Sequence, residues 1–464
     1  MAIKLKFLGG VKTVTGSSHL LTVGKTEVLL DAGLFQGHRD ESYKINTTFS
    51  FNPRSINALV LSHAHIDHCG NIPRLIKKGL RCKIYTTLAT KALAQLMLED
   101  SGKIQEEDVN YVNKINKRIG LPERKPLYTK KEAAKATKIF RPISYNQKFC
   151  IAQGVSATLI DAGHILGSAV IVLDIKDDNR SMRVGYAVDL GRENLPLLND
   201  PVIPKGLDYL IIESTYGGRT HAPIEEAQSK LREAISRTLR RGGKVLIPSF
   251  TLERTQEIVY FLNELLKEKL IPNVPIYVDS PLATEITEVF EAHPDYLDEE
   301  TRQAIARGES PFAFLNLRFI REQRESKALN ADKRPMIIIA GSGMCESGRI
   351  LHHLQNNIED SRNMILVVGY MARDTLGRRI VDKQKIVRIF GIEYELNAEV
   401  VIINALSGHA DKDELMKFIS GCLPLKRIFL VHGEEEQAQA LLTTLTQQGL
   451  NAYIPSKDEE VLLE

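Results

Sequence analysis

The residues His63-Ala64-His65-Ile66-Asp67-His68 constrain this chain more than any other stretch. They place four potential metal ligands within six positions, directly behind the apolar run INALVLS at 56–62. A short apolar run bounded by polar residues reads as a buried strand. A loop at its end can turn His63 and His65 toward one point, and Asp67 and His68 toward a neighbouring one. Imidazole and carboxylate suit zinc, and a catalytic zinc keeps one position open for water. A polar turn without metal is the plainer reading, but three histidines and an aspartate at this spacing argue against it.

Six residues cannot hold two metals alone. His164 follows the strand-like ATLIDA, Asp189 follows RVGYAV and His432 follows RIFLV. Each pattern is the same: an apolar strand, a ligand-type side chain, then glycine within three positions. Taken singly, such residues are more often surface or capping groups. Their shared placement points to one site.

The chain has 464 residues, room for two or three domains. Apolar residues make up 43% and charged residues 26%, a soluble globular balance. No run approaches the ~20 apolar residues of a membrane helix. MAIKLKFLGG leads straight into a strand-like alternation without a charged-then-apolar leader, so a cytoplasmic protein without a membrane partner is expected. Cys69, Cys82, Cys150, Cys345 and Cys422 are scattered and form no C-x-x-C pair, which argues against a disulfide framework and against a cysteine zinc site. The net charge of +3 is too small to identify a polyanion partner. Basic residues do cluster at 114–131, read as a solvated helix face, and at 373–388.

The first part of the chain reads as short strands with fewer helices, which suggests two packed sheets. From about 208 the rhythm changes. LDYLIIE, KVLIPSF, PIYVDSP, MIIIAGSG and MILVVGY alternate with helical patterns, as in a parallel sheet covered on both faces. From about 396 strands return, in AEVVIIN and RIFLVHG.

Together Asp31, the His63–His68 block, His164 and Asp189 resemble the four sequence motifs of the metallo-β-lactamase superfamily. Glu213 in IIESTYG, His409 in SGHAD and His432 in VHGE are similar to motifs A, B and C of its β-CASP branch. That branch includes the nuclease subunit of the cleavage and polyadenylation machinery, RNase J and shorter bacterial and archaeal ribonucleases. Two positions depart from the pattern: Val188 stands where glycine is common, and Cys345 where a longer aliphatic or glutamine is frequent.

The resemblance implies an α/β fold, an αββα metallo-β-lactamase sandwich with an inserted Rossmann-like β-CASP domain. The expected limits are 1–212 and 396–464 for the sandwich and 213–395 for the insertion. It implies two Zn²⁺ per chain: His63, His65 and His164 on one, Asp67, His68 and His432 on the other, and Asp189 between them. Metal-activated water would attack the phosphate, with Asp67 orienting it. His409 is the expected general acid and Glu213 the carboxylate that fixes it. Asp31 is expected behind a zinc histidine, with a strand-end turn aspartate as the alternative. Ser342, Gly343 and Met344, in the glycine-rich GSGMCESG, become contacts for the RNA backbone, with charge added by Arg373 and Arg378.

The expected activity is therefore a zinc-dependent ribonuclease of RNA processing or decay, an endonuclease with 5′-exonuclease action as a second mode. RNA is the expected partner. The assembly is left open, with a homodimer among the expected states. A DNA nuclease of the same branch is one alternative, although such proteins typically carry valine where this chain has His432. A small-molecule metallo-hydrolase is another, although such enzymes lack the insertion and the SGHAD and VHGE motifs. A metal-free RNA-binding relative would have lost several ligands.

Overall fold

The computed structural model describes residues 2–464 except His38, Asp178, Asn179, Tyr370, Arg373, Asn404 and Ala405. Contacts divide the chain into two compact units. The first comprises Met1–Glu193, Asp200–Thr220 and His409–Glu464; the second comprises Asn194–Asn199 and His221–Gly408.

The first unit holds two seven-stranded sheets. One runs Glu460–Leu463, Ile3–Gly9, Ser18–Val23, Thr26–Leu30, Ala58–Val60, Lys83–Thr86, Phe140–Pro142. The other runs Ala452–Tyr453, Arg427–Val431, Tyr209–Glu213, Arg180–Ala187, Ala169–Asp177, Val155–Asp161, Lys148–Ala152. Alternation sets their facing sides: Ile3, Leu5 and Phe7 are buried while Lys4 and Lys6 are partly exposed. Leu5, Leu21, Val28 and Val60 of one sheet meet Leu159, Ile171, Val184 and Phe429 of the other in one apolar core. The helices Lys412–Cys422 and Glu435–Gln447 cover the second sheet's outer face through Phe418, Ile419, Leu441 and Leu445. The helix Leu88–Ile119 packs beside the strand Phe140–Pro142 of the first sheet. Thr87 starts that helix by accepting the Thr90 N–H, and Gly120 ends it in a left-handed conformation, φ 72°. This is the αββα sandwich.

The second unit is built on a six-stranded sheet: Leu317–Phe319, Ile276–Val278, Ile337–Ala340, Val245–Pro248, Met364–Val367, Glu399–Ile402. Every pairing in it is parallel. Its central strands are continuous apolar runs because helices bury both faces. This is the expected Rossmann-like layer. Among the described residues no helix is long and apolar enough to cross a membrane.

The limits of the units differ from those expected at 213 and 396. Tyr209–Glu213 pairs with Arg427–Val431 inside the first unit, and the break comes after Thr220. Glu399–Ile402, expected in the first unit, pairs with Met364–Val367 and belongs to the second. An apolar run announces a strand but not its partner, because pairing is a long-range choice.

Candidate metal centre

Every ligand-type residue expected at the centre lies in the first unit, just past or at the end of a strand. Asp31 follows Thr26–Leu30, and the His63–His68 block follows Ala58–Val60, with Asp67 and His68 in the one-turn helix Ile66–Cys69 rather than in the expected loop. His164 follows Val155–Asp161, Asp189 follows Arg180–Ala187, and His432 follows Arg427–Val431, while Glu213 closes its own strand. Parallel pairing brings these ends together, Thr26–Leu30 with Ala58–Val60 and Tyr209–Glu213 between two partners.

The backbone bends sharply at three of them. Asp31, Asp189 and His432 have positive φ, at 57°, 60° and 45°. Side chains other than glycine rarely occupy that region, and strain of this kind gathers at functional sites. The loops also press on one another. A Cβ at Gly191 would lie 1.7 Å from the carbonyl oxygen of Gly163, so the glycine two positions after Asp189 permits the approach.

Two sets of ligand atoms result. His63, His65, His164 and Asp189 form one, and Asp67, His68, Asp189 and His432 the other, with the atoms of each set within 4.8 Å of one another. His65 Nδ1 lies 3.1 Å from His63 Nε2 and 3.3 Å from His164 Nε2. Asp189 belongs to both sets. Its Oδ2 is 3.3 Å from His63 Nε2 and 3.3 Å from His68 Nε2, and its Oδ1 is 3.1 Å from His432 Nε2. Asp67 Oδ2 stands 3.6 Å from His68 Nε2 and 3.7 Å from His432 Nε2.

The donor chemistry fits a divalent cation. Burial pushes His63 and His164 well below the ordinary imidazole range, His65 to about 4 and His432 to about 3. Neutral imidazole is the form that ligates. His68 Nε2 and Asp189 Oδ1 are buried without a hydrogen-bond partner, an expensive arrangement unless another group satisfies them. Burial works against charge on His68 too, but Asp189 and Asp67 raise it well above the usual value.

A further layer of polar contacts orients the ligands. Asp31 Oδ2 lies 2.7 Å from His68 Nδ1, and Asp31 Oδ1 accepts the Ser62 N–H at 2.7 Å. The Ser62 hydroxyl donates to Asp31 Oδ2 and lies 3.0 Å from His63 Nδ1. The Tyr186 hydroxyl donates to the same Asp31 oxygen at 2.9 Å. The sequence offers Asp31 but neither Ser62 nor Tyr186. Ser62 carries a signal as the residue before the histidine block, whereas Tyr186 reads as an ordinary core aromatic.

His409 and Glu213 form a pair beside these sets. Glu213 is fully buried, its Oε1 accepts the Leu190 N–H, and its Oε2 lies 3.1 Å from His409 Nδ1. The His409 ring sits 4.5 Å from that of His164, with about a quarter of its side chain exposed. Burial opposes its protonation, yet the Glu213 carboxylate raises it to about 9. Asp189, Glu213 and His409 also offer ligand atoms within 4.8 Å of one another, so this geometry alone admits a metal as well as a proton.

The residues expected to touch substrate lie in the second unit. The loop 341–348 does follow a strand and open a helix, Arg349–Asn357. The Ser342 hydroxyl accepts the N–H groups of Glu346 and Ser347, at 3.2 and 3.3 Å. Gly343 lies against the Phe250 ring, and Met344 packs on the unit's apolar core. Arg378 is half-exposed and bridges to Asp382 at 2.9 Å. Arg373 lies outside the described residues.

An αββα sandwich with a histidine and aspartate cluster at its strand ends defines a metal-dependent hydrolase of the metallo-β-lactamase fold, and a divalent metal goes with it. Residues 20–201 match the metallo-β-lactamase superfamily domain, 255–380 the Beta-Casp domain, and 393–455 the Zn-dependent metallo-hydrolase RNA specificity domain. The chain is 37% identical over 441 residues to Ribonuclease TTHA0252 of Thermus thermophilus, covering 95% of each chain. It is 32% identical to the transcription termination factor FttA of Methanocaldococcus jannaschii, over 94% of this chain and 67% of that one. A crystal structure of a protein of unknown function from Enterococcus faecalis V583 shares the fold, with a TM-score of 0.60 at 13% identity and full coverage of both chains. The chain belongs to the β-CASP branch of the metallo-β-lactamase superfamily.

Proposed function

We propose that this chain is a two-zinc ribonuclease that hydrolyses RNA phosphodiester bonds in RNA processing or decay, acting as an endonuclease. The observation that carries this reading is the sharing of Asp189 between two ligand sets, with the His409–Glu213 pair beside them. A relative of nearly equal length is named a ribonuclease, and the C-terminal match is to an RNA specificity domain. The segment from 221 to 408 is the inserted domain in this reading.

His63, His65, His164 and Asp189 would hold one ion, and Asp67, His68, His432 and Asp189 the other. Such ions supply positive charge for the phosphate oxygens and lower the pKa of water. Asp67 faces both His68 and His432 and is one-fifth exposed, so its carboxylate can accept a proton from incoming water. His409 donates a proton to the departing ribose oxygen. Glu213 keeps its imidazolium charged and aimed, because its other oxygen is fixed by the Leu190 amide.

A 5′-labelled RNA, its circular counterpart and a matched DNA strand test the proposal together. Endonuclease action cleaves the circle as readily as the linear strand. An intact circle beside a shortened linear RNA would mean exonuclease action, and equal cleavage of DNA would overturn the choice of RNA.

A further inference from the structure

The second unit contains a groove of about 1120 Å³ between the helices Gln323–Ala331 and Arg349–Asn357, walled by the hairpin Ile386–Glu395. Lys327 and Lys333 line it; both are exposed, and neither makes an ion pair among the described residues. On another wall the exposed His352 ring lies 4.8 Å from that of Phe390, tilted by 36°.

Phe390 is the unusual element. It forms the two-residue turn of the hairpin with Gly391, and both have positive φ, at 52° and 81°. Turns of this kind favour asparagine or aspartate before glycine, and a bulky aromatic at positive φ is a strained choice. The strain is not explained by burial, since Phe390 remains 53% exposed. It lines the groove beside His352.

The floor is rigid. Ser326 and Arg349 line the groove and are tied from behind to the buried Asp279. His353 also contacts Asp279, at 2.6 Å, and reaches Asn330 on the groove wall at 2.9 Å. A flat aromatic face, two unpaired cations and fixed polar groups in one groove match single-stranded nucleic acid, whose bases stack while its phosphates seek charge.

We propose that this groove is an RNA-binding subsite of the second unit, taking a base on Phe390 and His352 and flanking phosphates on Lys327 and Lys333. It deepens the ribonuclease reading and rests on it. The site is separate in composition from the metal centre, sharing none of its residues.

The test uses the intact metal-loaded protein with a phosphorothioate-linked oligouridylate, followed by fluorescence anisotropy at several salt concentrations. Phe390→Ala should weaken binding on the order of tenfold through lost stacking, while Phe390→Tyr should bind as the parent does. The Lys327→Ala, Lys333→Ala double variant should lower the magnitude of the salt slope by about 1.4, from two lost phosphate contacts. A 4-thiouridine version should crosslink to the peptides carrying His352 or Phe390. Thermal midpoints equal to the parent's check that the variants fold. Parent-like affinity and salt slope in both loss variants, with crosslinks mapped elsewhere, would overturn the groove and leave the ribonuclease reading standing. A parent protein that neither binds nor cleaves RNA would overturn that reading, and the groove with it.

Discussion

Asp31 and His68 meet at 2.7 Å, carboxylate oxygen to Nδ1, with both side chains sealed from solvent. The contact leaves His68 Nε2 directed at Asp189 and Asp67. An imidazole held in this way keeps one tautomer and one orientation, so the carboxylate acts on metal affinity without touching the ion. Asp31→Ala is expected to weaken metal binding roughly 10- to 100-fold. Competition against a coloured chelator measures this directly; unchanged affinity would make Asp31 a turn residue only.

Asp189 belongs to both ligand sets, so its loss should affect both ions. Elemental analysis should find about two zinc ions per parent chain. Asp189→Ala should carry fewer than one and lose RNA cleavage, while keeping the parent's far-ultraviolet circular dichroism. A fully active variant would show that the shared carboxylate is misassigned.

His409→Ala separates proton donation from metal binding. A general acid should leave metal content and RNA affinity intact while cleavage slows on the order of 10²–10⁴-fold. An RNA with sulfur as the scissile 3′ leaving atom needs no proton there, so variant and parent should cleave it at similar rates. Loss of metal from the variant would instead make the Asp189, Glu213 and His409 set a ligand group.

In the second unit Asp279 is fully buried. Burial works to raise its pKa, but contacts with His353, Ser326 and Arg349 outweigh burial and hold it below the ordinary carboxylate value. A depressed carboxyl stabilises the fold above its unfolded pKa of ~3.9, and the contribution is lost as pH falls through the folded value. Asp279→Asn should therefore lower the Tm of this unit at pH 7 and converge on the parent as pH drops below about 4. Parallel melting curves from pH 7 to pH 3 would rule out an ionised Asp279 as the source.

Much of the centre is legible in the linear order of residues. The ligand residues announce themselves because metal chemistry demands particular atoms, and the strands in front of them announce themselves by apolar runs. Glu213 and His409 need the motif resemblance, since nothing in their own spacing brings residues 196 positions apart into contact. The segment Glu399–Ile402 is legible as a strand, yet its apolar pattern does not say which sheet it joins.

The sequence by itself determined which side chains are of metal-ligating type, that they follow closely on strands, and that a sandwich and a parallel-sheet layer share the chain. Those properties depend on residue chemistry and on local periodicity, which a linear string carries. Tertiary structure alone decided that Glu399–Ile402 joins the second unit's sheet, that Ser62 and Tyr186 converge on Asp31, and that Phe390 packs beside His352 in a groove. Each of these is a meeting of distant segments. Their contacts are fixed by which strands pair and which faces pack, choices made by the whole core at once.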